Sequence, residues 1–384
     1  MTRRAIYACI ALTLIAAQCL AQTGGAIVGV SPQTERVLTG QFAGKIGSET
    51  RAVFGFGPIA YTIAEKHRYL ADDPTVFEMG EGYIGMPAPS SANWYHTGFL
   101  FVRINGHDVQ IPATSVMAVE SGDRAILDMV WHDPDALVRT RFFGLPGENW
   151  LGCEIEIEPI NEITSLSVLL RCYPSYFTSA HNRDGARRIQ TPSLLVEQGS
   201  VAEEPLAENP WAFYYDEVFD VAKGEGDGPC AMLALPVDGA TIRYEPGGYA
   251  VNTTLDFPPD TRTIRFAFWD YKGFTNADAL ADLQGQTGAV LATLETADLT
   301  PRAVAEFDIA AVRASLEEAI ASAETREALG ERIGDVEAWL AANEQTQQPG
   351  TAIGVAGQEE LLGSLDDYNS LQWEVKLIKL LDDL

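Results

Sequence analysis

Positively charged residues are scarce in this chain. Its 384 residues include 26 lysines and arginines against 54 aspartates and glutamates, for a formal net charge of −28 at pH 7. A field of that sign repels nucleic acid and anionic lipid, whereas it attracts metal cations and keeps the protein dispersed in water. We therefore expect no nucleic-acid partner.

Cysteine is also scarce, with five residues in the whole chain. Two of them lie in the first 21 residues, and the three that remain, Cys153, Cys172 and Cys230, are too few for a disulfide scaffold. No C-x-x-C pair and no Cys/His spacing typical of zinc is present. The sequence thus predicts no metal site and no cofactor of these kinds.

Calcium is the alternative to that prediction. The glycine-rich run 224–228 follows three residues with carboxylate ligands, namely Asp216, Glu217 and Asp220. Oxygen ligands are what calcium prefers, although the spacing does not match a known calcium loop. The other interpretation, a surface turn, is favoured.

Long hydrophobic runs are limited to residues 5–17, directly after Arg3 and Arg4. A basic start, a short apolar run and small residues ending at Ala21 are typical of a secretory signal peptide cleaved after Ala21. The run is too short to span a membrane, so we expect an exported protein, periplasmic or extracellular. Cleavage removes two positive charges and takes the net charge from −28 to −30.

The clearest β-hairpin lies around Asn105-Gly106, a pair favoured in type I′ turns. Pairing Ile104 with His107 puts Arg103 beside Asp108 on one face, with apolar pairs on the other. Because this register places matching side chains opposite each other on both faces, it is the predicted one.

A second hairpin is predicted over residues 150–174. Placing Cys153 opposite Cys172 puts Ile155 opposite Leu170 on an apolar face and Glu154 opposite Arg171 on a polar one. The two cysteines would then form either a strained cross-strand disulfide or a pair of buried thiols.

Strand-like runs separated by Gly/Pro turns continue to about residue 271. Such a series predicts a mainly β protein, a large two-sheet antiparallel β-sandwich with a C-terminal α-helical segment. The predicted organisation is a signal peptide (1–21), a β-sandwich domain (22–272), a helical segment (273–345), a linker (346–357) and a C-terminal amphipathic helix (358–384).

Alanine, leucine and glutamate at helical spacing predict helices over residues 309–323 and 326–343, with Asp308 or Thr325 as caps. In the last helix, Leu371, Val375 and Ile378 form an apolar stripe. Packing of that stripe on the sandwich or on a protein partner is the expectation.

The strand pattern at residues 150–173 and 263–269 resembles the β-supersandwich of galactose-mutarotase-like domains. Domains of that family occur in epimerases and as accessory domains of glycan lyases and hydrolases. The resemblance implies a carbohydrate-associated function, and it assigns no site residue in this chain.

Basic residues concentrate in one irregular segment, and an aromatic cluster follows it. The predicted ligand-binding residues are His181, Arg183, Arg187, Arg188, Trp211 and Tyr214. Arginine binds carboxylate or sulfate through two parallel hydrogen bonds, and an aromatic face supports a sugar ring, so a groove for acidic glycans is the hypothesis. The alternatives are a loop that neutralises nearby carboxylates and aromatic rings that belong to the core.

Two other classes of function stay open. Glu154 and Glu156, with a histidine and a tyrosine in one cleft, would indicate a glycan-active enzyme of the lyase, hydrolase or epimerase type. The favoured interpretation of these acids is a structural ladder with Arg139 or Arg141 and with Arg171. A structural or assembly protein of the cell envelope, acting through the C-terminal helices, is the third hypothesis, and no catalytic residue is assigned.

Overall fold

The computed structural model describes residues 25–73, 77–78, 84–109, 115–175, 186–223, 227–300, 332–343 and 354–356, with single residues between 313 and 330. Two compact units divide the chain, Met1–Ala297 and Asp298–Leu384. The predicted signal peptide and the predicted last helix lie outside the described residues.

The first unit contains two antiparallel sheets, which confirms the predicted fold class. The strands of the first sheet are β1 (Ile27–Val30), β2 (Thr34–Val37), β3 (Lys45–Gly55), β4 (Tyr61–Leu70), β5 (Phe77–Glu78), β6 (Ile84–Ala88), β7 (Leu100–Ile104), β8 (His107–Asp108), β13 (Leu166–Cys172), β16 (Ala202–Pro205), β19 (Thr241–Pro246) and β20 (Val251–Phe257). Its order is β1-β3-β4-β6-β7-β13-β20-β19-β16, with β2, β5 and β8 paired to β3, β4 and β7.

The second sheet has the order β15-β14-β17-β18-β21-β12-β11-β10-β9. Its strands are β9 (Ser115–Glu120), β10 (Ala125–His132), β11 (Ala136–Gly144), β12 (Leu151–Pro159), β14 (Arg187–Gln190), β15 (Leu195–Glu197), β17 (Trp211–Asp216), β18 (Cys230–Ala234) and β21 (Thr263–Asp270). Alternate residues of both sheets face each other in one apolar core, as for Ile155 of β12 and Leu170 of β13.

Besides two short 3-10 helices, Gly40–Phe42 and Val221–Lys223, the described residues include two longer α-helices. Helix α1 (Asn276–Thr296) belongs to the first unit, and the side chain of Thr275 caps it by accepting a hydrogen bond from the Asp278 N–H. Helix α2 (Arg332–Asn343) belongs to the second unit, within the range predicted to be helical. Within the described residues, no helix has the length and hydropathy needed to cross a membrane.

The hairpin at Asn105-Gly106 is confirmed. Ile104 pairs with His107 and Arg103 with Asp108, as the two-face pattern predicts. Asn105 and Gly106 have φ values of 52° and 83°, the left-handed conformation that a type I′ turn requires at both positions.

The predicted hairpin over residues 150–174 is wrong. Strand β12 pairs with β11 and β21 in the second sheet, while β13 pairs with β7 and β20 in the first. Alternation specifies which face of a strand is buried, but it does not specify the neighbouring strand. Residues 160–165 instead connect the two sheets, and there Ile163 packs into the core.

The corrected strand pairing also decides between a disulfide and free thiols for the cysteines. Cys153 and Cys172 lie in different sheets, and all three described cysteines are free and buried. Burial raises the pKa of the Cys230 thiol, and contact with Cys172 raises it further. The buried-thiol alternative therefore describes this fold.

Candidate functional site

Three tyrosines meet just beyond the end of β13. The ring centroids of Tyr173 and Tyr249 lie 4.8 Å apart in an edge-on arrangement, and those of Tyr173 and Tyr95 lie 4.6 Å apart. Tyr249 is 66% exposed, whereas Tyr173 beneath it is 3% exposed. We call Tyr95, Tyr173, Tyr249, Arg171 and Asn252 the tyrosine–arginine surface.

Tyr95 is positioned by a loop that is anchored in the core. The indole Nε1 of its neighbour Trp94 donates to the carbonyl oxygen of Trp269 at 2.9 Å, and the Trp94 ring is fully buried. Earlier in the loop, Ser90 N and Asn93 Nδ2 both donate to the carboxylate of Asp270 at 3.0 Å. These contacts fix the backbone that carries Tyr95.

Tyr249 is positioned by Arg187. The Arg187 Nη1 donates to the carbonyl oxygens of Gly247 and Tyr249 at 3.2 and 2.5 Å, in the turn between β19 and β20. Its guanidinium also lies 6.0 Å from the centre of the Tyr173 ring. Arg187, itself 1% exposed, therefore supports the surface from below.

Arg171 is the charged group of the surface. It alternates with the core residues Leu170 and Cys172, so its side chain points outward beside its register partner Asn252. The guanidinium lies 5.3 Å from the Phe101 ring centre, and Nε donates to Asn252 Oδ1 at 3.3 Å. Among the described residues, no hydrogen bond occupies its two terminal nitrogens, which can therefore bind an anion.

Burial keeps Tyr173 and His96, next to the exposed ring of Tyr249 and to Tyr95, in their neutral forms. Burial, together with the adjacent Tyr249, raises the pKa of Tyr173, so its phenol stays protonated. Burial lowers the pKa of His96, whose ring contacts that of Tyr95 at 4.9 Å. The His96 Nδ1 donates to the Ser91 carbonyl at 2.7 Å, which leaves Nε2 as the acceptor.

The structure describes four of the predicted ligand-binding residues, and all four lie on the paired strands β14 and β17 of the second sheet, namely Arg187, Arg188, Trp211 and Tyr214. Arg188 lies on the second sheet, where its guanidinium contacts Glu217 at 2.9 Å and Glu197 at 4.0 Å, as the alternative of carboxylate neutralisation expects. Trp211 is 7% exposed and Tyr214 is fully buried, so neither ring presents a face to solvent. His181 and Arg183 lie outside the described residues, and a role for them stays a prediction.

Of the predicted binding residues that the structure describes, Arg187 is the one that contacts the tyrosine–arginine surface. The surface itself has little local signal in the sequence, because its members come from three distant segments. One usable signal was Tyr249, a large aromatic residue directly after Gly247-Gly248, since loop residues carry binding functions more often than strand residues do.

The glutamates Glu154 and Glu156 of β12 form ion pairs with arginines. Arg141 binds Glu154 Oε1 through Nη1 at 3.0 Å, and Arg265 binds Glu154 Oε2 through Nε at 2.7 Å. Glu156 pairs with Arg139. The predicted ladder is therefore confirmed for Arg139 and Arg141, but Arg171 was wrongly included because β13 belongs to the other sheet.

The residues considered for calcium each have separate contacts. Asp216 is buried and accepts from Val218 N at 3.1 Å, Glu217 pairs with Arg188, and Asp220 lies 3.5 Å from Lys223 Nζ. Residues 224–226 lie outside the described part of the chain, so calcium at this place stays a prediction.

No family model matches the sequence, and no curated protein matches it. Solved structures that align with the chain include the GH36 alpha-galactosidases AgaB and AgaA from Geobacillus stearothermophilus, at 9% and 10% identity. Both alignments have a TM-score of 0.34 and cover 58% of this chain. The chain spans 40–41% of the length of these enzymes.

Proposed function

We propose that this is an exported protein that recognises carbohydrate, with acidic glycans as the ligand class, at the tyrosine–arginine surface. One observation carries the proposal: Tyr249 is the single aromatic residue among the exposed large hydrophobic residues of the described chain. An exposed ring that is fixed from below by Tyr173 and Arg187 loses little entropy when it binds a ligand.

The surface combines the two groups that an acidic sugar needs. The flat face of Tyr249 can cover the apolar side of a sugar ring, and the Tyr249 hydroxyl and the Asn252 amide offer hydrogen bonds to its hydroxyl groups. Arg171 supplies two parallel donors for a carboxylate or sulfate. A neutral sugar would contact Tyr249 and Asn252 but would have no group for Arg171, so acidic sugars should bind more tightly.

The net charge of the chain opposes this attraction at long range. A mature charge of −30 repels polyanions, so the interaction depends on contacts at the surface itself. Added salt should weaken the contact with Arg171 and should leave the contact of Tyr249 with the sugar ring largely unchanged. Export is proposed from the signal-peptide pattern of residues 1–21.

Substitution of the surface residues tests this function. In titrations with uronic-acid oligosaccharides, Tyr249→Ala should weaken binding by roughly five-fold, since loss of a ring contact is worth about 1 kcal/mol. Arg171→Lys keeps the charge but loses the paired donors, and it should reduce the preference for uronate over neutral oligosaccharides.

Tyr249→Phe is the matched control for the ring, and it should retain most of the affinity. Because Tyr249 is largely exposed, the melting temperature should be nearly the same in all three variants. Unchanged binding in both Tyr249→Ala and Arg171→Lys would contradict the proposed site.

A further inference from the structure

A second cluster of functional side chains lies at the opposite end of β13 from the tyrosine–arginine surface, about 20 Å away along that seven-residue strand. It consists of His107, Asp133 and Asp135, whose ligand atoms all lie within 4.8 Å of one another. His107 belongs to β8 of the first sheet, and the two aspartates flank Pro134 in the turn between β10 and β11 of the second sheet. The cluster therefore joins the two sheets.

The turn that carries the aspartates is fixed by neutral groups. Asp133 Oδ1 accepts from the backbone N–H of Asp135 at 2.9 Å, and Asp135 Oδ2 accepts from Asn105 Nδ2 at 2.7 Å. Asn161 Nδ2 donates to the Pro134 carbonyl oxygen at 2.9 Å. The ligand atoms are thus preorganised before any ion arrives.

The charge of the cluster is not balanced by basic side chains. Among the described residues, neither carboxylate forms an ion pair with lysine or arginine, and His107 Nε2 is the partner of Asp133 Oδ2 at 2.9 Å. The strand acids Asp128 and Glu154, by contrast, bind arginine directly. Since the Asp133 side chain is 4% exposed, its negative charge favours a bound cation.

We propose that His107, Asp133 and Asp135 bind one divalent metal ion of the zinc class. Zinc accepts both imidazole nitrogen and carboxylate oxygen as ligands, whereas calcium and magnesium take oxygen ligands, so the imidazole favours zinc. The ion would replace the hydrogen that His107 Nε2 and Asp133 Oδ2 share. The His107 side chain is 42% exposed, which leaves one side of the site open for a water ligand.

The expected consequence is structural. An ion held by both sheets would stabilise the folded sandwich, and at this distance it would not contact a ligand on the tyrosine–arginine surface. Calorimetric titration of the mature chain, without an affinity tag, should show one zinc ion per chain and no comparable binding of calcium or magnesium. Free zinc at a hundred times its dissociation constant should raise the melting temperature by roughly 5 °C.

Variants separate this site from general binding to an acidic surface. His107→Ala and Asp135→Asn should each weaken zinc binding at least about ten-fold and reduce the thermal shift to about half or less. His132→Ala removes an exposed imidazole next to the cluster, and it should leave the zinc affinity and the thermal shift unchanged. Loss of zinc binding in His132→Ala alone, equal binding of calcium, or no binding by the wild-type protein would overturn the proposal.

Discussion

Replacing Arg141 by methionine is expected to lower the free energy of unfolding by about 3–5 kcal/mol. Arg141 is fully buried on the outward face of β11, and it donates to both oxygens of Asp128 at 2.7 and 2.9 Å as well as to Glu154. Methionine would fill most of the volume but would leave two buried carboxylates without this guanidinium. Urea unfolding of the two proteins measures the difference.

Arg103→Met is the matched control for that experiment. Arg103 pairs with Asp108, but its side chain is 37% exposed, so its loss should cost less than about 1 kcal/mol. A similar small cost for Arg141→Met would show that Arg141 contributes little to the stability of the second sheet.

Asp270 is expected to make the stability of the protein depend on pH. Complete burial raises the pKa of this carboxyl from 3.8 to about 6, although hydrogen bonds from Ser90 and Asn93 act in the opposite direction. The folded state therefore holds the proton more tightly than the unfolded state does. This contribution is fully present only well below the ordinary pKa of 3.8, and it is lost as the pH rises through about 6, by about 3 kcal/mol in total.

Comparison with Asp270→Asn isolates this group from the other acids. The asparagine does not titrate, so the stability difference, wild type minus variant, should fall by about 2.5 kcal/mol between pH 4 and pH 7. The effect also concerns the candidate site, because Asp270 anchors the loop that carries Tyr95. A difference that stays constant with pH would contradict a raised pKa for Asp270.

Local chemistry made part of the fold predictable. Asn105-Gly106 specifies both the turn and the register of its hairpin, because few other residues adopt left-handed conformations at two successive positions. The residues around Cys153 and Cys172 carry alternation but no such turn, and the same alternation fits two strands that face each other across a sandwich. Pairing between distant strands, such as β12 with β21, has no local signal in the sequence.

The site was less predictable than the fold for the same reason. Tyr95, Tyr173 and Tyr249 come together only because β13 lies between β7 and β20 in the first sheet. Arg187 was identified as a basic residue in the predicted binding segment, but its burial and its contacts with the 247–249 turn depend on that sheet order. Trp211 and Tyr214 were named for their aromatic chemistry, which suits a core as well as a binding surface.

Hydrogen exchange measured by mass spectrometry tests directly whether an acidic glycan binds at the tyrosine–arginine surface. With saturating uronic-acid oligosaccharide, exchange should slow in peptides that contain residues 93–98, 171–175 and 246–252. Peptides that contain residues 105–108 and 132–136, at the other end of the sandwich, should exchange as they do without ligand. Protection confined to other segments, or no protection with bound oligosaccharide, would contradict binding at this surface.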